Sequence, residues 1–547
     1  MKSRTLRPLL LRSVQGRYGQ TFFFLSSLMK KIILLCLSAY CSLFASAQTL
    51  YVKTHHATYA YAADEVGEMP YSDGERLYVM GHAFELTEVA ELFFDRTPVA
   101  QGTVTVDFNG ETAQVVIAGR LADFVQATVD GAHVFLVQSE EVGDATCGEI
   151  TYHLTGQTDN GGLALEGSYK ARIELAGLTL TNPKGAALDI QNGKRIELSV
   201  ASETVNTLTD GTSGDWKGCI TCKGHLELKG KGTLNVTGRT NHAVFSKEYL
   251  TLKNCTLNVL GAVADGVNCN QYFTMESGTL NIEAVGDDGV QVSFKDETDR
   301  EAEDTGELTV LGGTLNVVAP AASVKGLKAE GNLLIAGGEV TVTTKGNGSE
   351  GIESKKELTI SGGNVTVTAH DDGINSAGNM YLQGGNVVSM ASNNDGIDSN
   401  GHMYISGGTV LALGAGSVEC GIDVNDEGGY SLYITGGTVL GIGGRNSLPS
   451  SSSASTQPYV SGSGSVTAGS AVTLSDGSST LASFIIPEGY SGSSSGSFPF
   501  WGPGGGNNRP GGGGTTGGGI LLSCPGITKG GSYTLTVGTG SSTVTGQ

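Results

Sequence analysis

Residues 357–378 read ELTISGGNVTVTAHDDGINSAG, and residues 379–401 read NMYLQGGNVVSMASNNDGIDSNG. Laid over one another, both run x-apolar-x-apolar-x-Gly-Gly-x-apolar-x-apolar. A short polar loop follows, then an acidic residue, Gly and Ile. The same frame fits residues 249–271, 307–331, 332–356 and 402–428, with a period of 22 to 27 residues. Self-similarity at such a period marks a repeat architecture. Residues 272–306 make a longer copy, because they carry an acidic insertion near Lys295–Thr305.

Within each copy the apolar period is two, which is the period of a strand and not of a helix. One apolar column is Leu226, Leu250, Phe273, Leu308, Leu333, Leu358, Met380, Met403 and Leu432. A second is Leu228, Leu252, Met275, Val310, Ile335, Ile360, Leu382, Ile405 and Ile434. A third is Leu234, Leu257, Leu280, Leu315, Val340, Val365, Val387, Val410 and Val439. Three short strands per copy, separated by tight turns, make one coil of a solenoid. The reading is all-β: a right-handed parallel β-helix of roughly ten stacked coils, each satisfying its backbone from its neighbours. The Gly-Gly pairs fall between strands, where glycine tolerates positive φ. A leucine-rich repeat would need a recurrent Asn or Cys turn and a helical segment, and a propeller would need four strands per blade.

The flanks set the domain limits. Lys30 and Lys31, the apolar run Ile32–Phe44 and the small-residue site Ala45-Ser46-Ala47 read as a secretory signal cleaved after Ala47. The apolar run is too short to span a bilayer. Met29 then reads as the true start, with residues 1–47 as leader and signal. The expectation is a secreted, cell-surface or periplasmic protein with no membrane-spanning segment after cleavage. Residues 48–146 read as a small N-terminal β region and residues 147–444 as the β-helix. A Ser-rich flexible linker is expected over 445–470. A C-terminal β module is expected over 471–547, interrupted by a disordered Gly/Ser-rich loop at 491–519.

Composition narrows the function. Glycine supplies 84 of 547 residues and the net charge is −21. An acidic surface excludes nucleic acid as a partner, because phosphates need Lys and Arg. It suits cation binding or a well-solvated exported surface. Seven cysteines follow the signal without framework spacing, and the single CxxC at Cys219 and Cys222 has no second pair. Their reading is structural.

The acids are patterned. Asp265, Asp288, Glu350, Asp372 and Asp395 share one register just before the third strand. Three residues on stand Asn268, Gln291, Glu353, Asn375, Asp398 and, in the next coil, Asp423. Adjacent strands lie about 4.8 Å apart. Two carboxylates at that distance repel by about 1 kcal/mol even in water. A line of them calls for a cation, and calcium takes about six to eight such oxygens at flexible geometry. The expected metal ligands are Asp288, Glu350, Glu353, Asp372, Asn375, Asp395, Asp398 and Asp423. Turn chemistry competes, since Asp-Gly is an ordinary turn sequence. Lys325 and Lys328 break the column; they either pair with Asp288 and Glu350 or meet a uronate. Tyr381, Tyr404 and Tyr433 stand in one outward register, as a sugar-stacking face or as a ladder that stabilises the sheet.

The rungs at 357–369, 370–376 and 394–401 resemble a bacterial family of carbohydrate-binding domain-containing parallel β-helix proteins. Residues 178–238 are similar to the family's early coils, and Ala482-Ser-Phe with 522–535 is similar to its C-terminal module. The resemblance implies calcium bound between coils and affinity for acidic plant polysaccharide such as polygalacturonate, the backbone of pectin. The fold is also similar to that of pectate lyases. The Lys325 coil departs from the acidic pattern, which puts a cation at that coil in doubt.

The leading expectation is therefore an exported, calcium-assisted binder of acidic polysaccharide. A structural or adhesive solenoid is the alternative, and a calcium-dependent lyase the second. A lyase needs a Lys or Arg base beside the cation. Lys325, Lys328, Lys345, Lys355 and Lys356 form no convincing pair with an acid cluster, so no catalytic residue is assigned.

Overall fold

The computed structural model describes residues 4–6, 48–490 (save 73, 296, 297, 299, 417 and 418) and 519–547. The signal region and most of the Gly/Ser-rich loop lie outside the described residues. Among the described residues the chain is all-β, with two 3-10 turns, at Gly119–Leu121 and Asp426–Gly428. No described helix is long and apolar enough to cross a membrane. The chain forms two compact units, 1–208 with 222–224, and 209–221 with 225–547.

The first unit opens with antiparallel pairing. Thr49–Lys53 lies between Thr58–Ala62 and Glu91–Asp95. Leu50, Val52, Tyr61, Leu77 and Phe84 form its small core. Parallel stacking starts earlier than Cys147, the limit read from the repeat. Thr103–Asn109 already pairs in parallel with Ile150–Thr158, and Ala132–Gln138 with Gly161–Gly167. These strands lack the full repeat frame with Gly-Gly between two apolar pairs, yet a parallel ladder needs only matched period-two alternation.

The second unit is a parallel β-solenoid in which eight coils of three strands run from His225 to Val424. The predicted columns are its ladders: Leu358 pairs with Met380, Met380 with Met403 and Met403 with Leu432. A ladder on the third strands joins Ile352, Ile374, Ile397 and Ile422. All eight of these side chains are fully buried. The turns explain the glycines. Gly408 has φ +78°, and a Cβ there would sit 2.6 Å from the carbonyl oxygen of Gly385 one coil below. Both backbone strain and the neighbouring coil therefore exclude a side chain.

One end of this solenoid is closed. Gly519–Ser523 pairs antiparallel with Thr438–Gly443, and Tyr459–Ser463 pairs antiparallel with Gly519–Ser523. Tyr459–Ser463 falls inside the stretch read as flexible linker. It is a strand because the sheet edge offers unpaired backbone groups. Ala471–Ser475, Thr480–Ile485, Ser532–Val537 and Gly540–Thr545 form a separate antiparallel sheet. Its side chains share a core with Met390, Leu411, Leu413 and Leu440 of the solenoid.

Candidate functional site

The candidate site grows from the turn before the third strand. In four coils, those of Asp265, Asp288, Asp372 and Asp395, one carboxylate oxygen caps the backbone N–H at the same register one coil on. The N–H of Asp288 donates to Asp265 Oδ1 at 2.9 Å, and that of Lys325 to Asp288 Oδ1 at 2.6 Å. The N–H of Asp395 donates to Asp372 Oδ1 at 3.1 Å, and that of Cys420 to Asp395 Oδ1. The turn-chemistry reading thus accounts for half of each of these four carboxylates. In two of these coils the other oxygen meets the second column: Asn375 Nδ2 donates to Asp372 Oδ2 at 3.2 Å, and Asn268 Nδ2 to Asp265 Oδ2 at 2.6 Å.

Lys325 and Lys328 divide the column. Lys325 Nζ lies 3.2 Å from Glu350, and Lys328 Nζ lies 3.2 Å from Asp288 Oδ2. Both ammonium groups are mostly buried in these pairs. Of the two roles weighed for these lysines, the structure places them in ion pairs. They supply the countercharge that the acids beside them require.

On one side of this coil, oxygens of Asp265, Asp287 and Asp288 lie within 4.8 Å of one another, with His242 Nδ1 3.2 Å from Asp265. On the other side, oxygens of Asp395, Asp398 and Asp423 do the same. These three line a groove of about 830 Å³ with Asp372, Glu419, Asp426 and Glu427. Burial, then the neighbouring acids, pushes the carboxyls of Asp372 up to about 8 and of Asp395 and Asp398 up to about 7. Asp423 is raised by burial too, as is Glu350 by burial and then by Glu353. Among the described residues, Glu350 and Glu353 each keep a buried carboxylate oxygen with no hydrogen-bond partner. Of the expected ligands, Asp372, Asp395, Asp398 and Asp423 share the groove. Asp288 belongs to the other cluster. Glu353 is held by Lys355.

The groove residues Glu419, Asp426 and Glu427 escaped the sequence reading, and so did Cys420 and Arg445. Cys420 takes the register position of an acid; its thiol donates to the carbonyl of Arg445 and is raised by burial beside Asp395 and Asp423. Arg445 adds an exposed guanidinium to the groove. The only signal for Cys420 was the Gly421-Ile422 pair that follows it.

Tyr381, Tyr404 and Tyr433 form a ladder, with ring centroids 5.2 and 5.1 Å apart and planes within 15°. Each ring covers its neighbour's face, so Tyr404 offers mainly an edge. A second stack, His225, Tyr249 and Tyr272, has spacings of 4.5 and 4.8 Å. It was legible as aromatics one register before the Leu column, but only pairing shows that they stack.

A parallel β-solenoid with patterned acids on one turn is the class that fold and site define. The carbohydrate-binding domain-containing protein family matches residues 144–395 and 346–484, together more than half of the chain. The chain belongs to that family. No curated protein matches it. Among solved structures, it is similar to a polysaccharide lyase-like protein from C. thermocellum, with 18% identity and a TM-score of 0.34 over 49% of this chain and 91% of that one.

Proposed function

We propose that this protein is exported and binds acidic, polygalacturonate-like polysaccharide through calcium held in the groove of the acidic column. The carrying observation is the set of converging, mostly buried carboxylates of Asp395, Asp398 and Asp423, with Asp372 beside them. Their raised carboxyls mark an arrangement that resists full ionisation without a countercharge. The donors are hard oxygens, which suit calcium over softer metals. Asp395, Asp398 and Asp423 would hold the ion, and Asp372 would complete one side. When bound, calcium supplies a positive charge shared between protein and uronate carboxylates.

The chain's own residues set the rest. Asp372 and Asp395 are fixed by the backbone N–H groups they cap, so their free oxygens are preorganised. Arg445 offers a second cationic contact for a uronate. Family membership supports a polysaccharide as the partner, and the leader at Met29–Ala47 supports export.

The test is the double change Asp395→Asn and Asp398→Asn, which keeps shape and removes charge. In the parent, calcium should raise the melting temperature, because it binds the folded coils and not the unfolded chain. Polygalacturonate binding should vanish in chelator. The double variant should lose both effects with its β-type circular dichroism intact. Chelator-insensitive binding with no thermal shift would leave the acids as a solvated face.

A further inference from the structure

A second concave site lies in the first unit, on the outward face of neighbouring strands. Val125–Asp130 pairs with Ala132–Gln138, which pairs with Gly161–Gly167, which pairs with Leu188–Asn192. Register puts Phe135 beside Ala164 and Ala164 beside Asp189; two residues back along the strand, Asp130 faces His133 and His133 faces Gly162. The result is a depression of about 290 Å³ with a floor of Gly162 and Ala164 and a rim of Phe135, Asp130, His133 and Asp189.

Three features of this depression point to a ligand. Phe135 is 37% exposed, because its in-register neighbours, Thr128 and Ala164, are both small. Gly162 admits no side chain: a Cβ there would sit 2.5 Å from the amide nitrogen of Asn182, which is buried, donates to the Ala186 carbonyl at 2.6 Å and forms part of the depression's lining. His133 Nε2 is buried with no hydrogen-bond partner among the described residues. Phe135 and Asp189 stand two strand spacings apart, about 10 Å, which leaves room for one pyranose ring across Ala164.

We propose that this depression is a second carbohydrate subsite, which takes a neutral hexose residue of a polysaccharide without any cation. A sugar's C–H face packs on the exposed Phe135 ring, whose face is electronegative. Asp130 and Asp189 accept hydrogen bonds from sugar hydroxyls; among the described residues Gln191 donates to one Asp189 oxygen, and the sugar would meet the other. The same two carboxylates repel a uronate, so the subsite selects against the ligand proposed for the acidic groove.

The experiment uses the full chain in chelator, titrated with β-1,4-linked tetrasaccharides of glucose, mannose and galactose by calorimetry and saturation-transfer NMR. At least one should bind. Phe135→Ala should weaken that binding at least tenfold. Ala164→Phe, which fills the floor from the solvent side and spares the interior, should abolish it with an unchanged melting temperature. Asp189→Asn gives a milder variant that keeps the fold and should weaken binding several-fold. The double change in the acidic groove should leave neutral-sugar binding intact, so the two sites fail separately. Binding of none of the three sugars, binding that survives both Phe135→Ala and Ala164→Phe, or competition by tetragalacturonate in chelator would each overturn the subsite.

Discussion

At the residue scale, Lys328 and Asp288 show how the chain solves its own charge problem. Burial pushes the Asp288 carboxyl up to about 6, and Lys328 is the strongest influence holding it down. Replacing Lys328 with Met removes an ammonium 3.2 Å from a buried carboxylate. Losing one partner of a buried pair costs about 3–5 kcal/mol. The folded-state value already lies above that of an unfolded aspartate, so the charged form is what destabilises. The penalty is absent below about pH 4 and grows as pH rises past Asp288's own titration. Lys328→Met should therefore melt well below the parent at pH 8 and close to it at pH 5. An equal deficit at both pH values, read by calorimetry, would mean that lost packing and not the bare carboxylate is responsible.

At the scale of the element, the groove acids act as one titrating column. Asp372, Asp395 and Asp398 reach about 8, 7 and 7 in the folded chain, against roughly 4 for an unfolded aspartate. Between these limits the folded state binds more protons than the unfolded one. Stability without calcium is therefore fullest below about pH 4 and falls as pH rises toward 8. Calcium should offset that loss, giving a large thermal shift at pH 8 and a small one at pH 5. A shift independent of pH would separate calcium from these carboxylates. The outward ladders show the same dependence on neighbours. Asn235, Asn258, Asn281 and Asn316 are linked by amide hydrogen bonds of 2.8 Å. The Tyr381 ladder stacks ring on ring. Both stabilise the sheet through pairs that a single coil does not contain.

At the scale of the molecule, the second unit ends its solenoid by turning outward positions apolar. Thr366 gives way in register to Val388, Leu411 and Leu440, and Thr368 to Met390. Leu411, Leu440 and Met390 pack beneath the C-terminal sheet, while Gly519–Ser523 pairs with the last parallel strand. An open edge templates association with another chain. Deleting residues 446–547 should expose that edge and the apolar patch beside it. Light scattering should then show association that rises with concentration, while the intact chain stays dispersed at its net charge of −21. A dispersed, soluble deletion variant would show that the edge is protected by other means.

The sequence by itself determined the coil. Period-two alternation and Gly-Gly turns are local features, and each copy repeats the same constraints, so residue order alone makes the three ladders legible. The acidic register is legible for the same reason. Only the tertiary structure decided which acids meet. Asp395, Asp398 and Asp423 converge because the strands of Asp398 and Asp423 pair in register with Asp395 three residues before, whereas Asp288 is drawn to Lys328 on the neighbouring coil. The early parallel strands, the strand at Tyr459–Ser463 and the floor beneath Phe135 were hidden for a related reason. Each depends on hydrogen bonds or close approach between segments far apart in sequence, and a residue's own neighbours along the chain carry no record of those contacts.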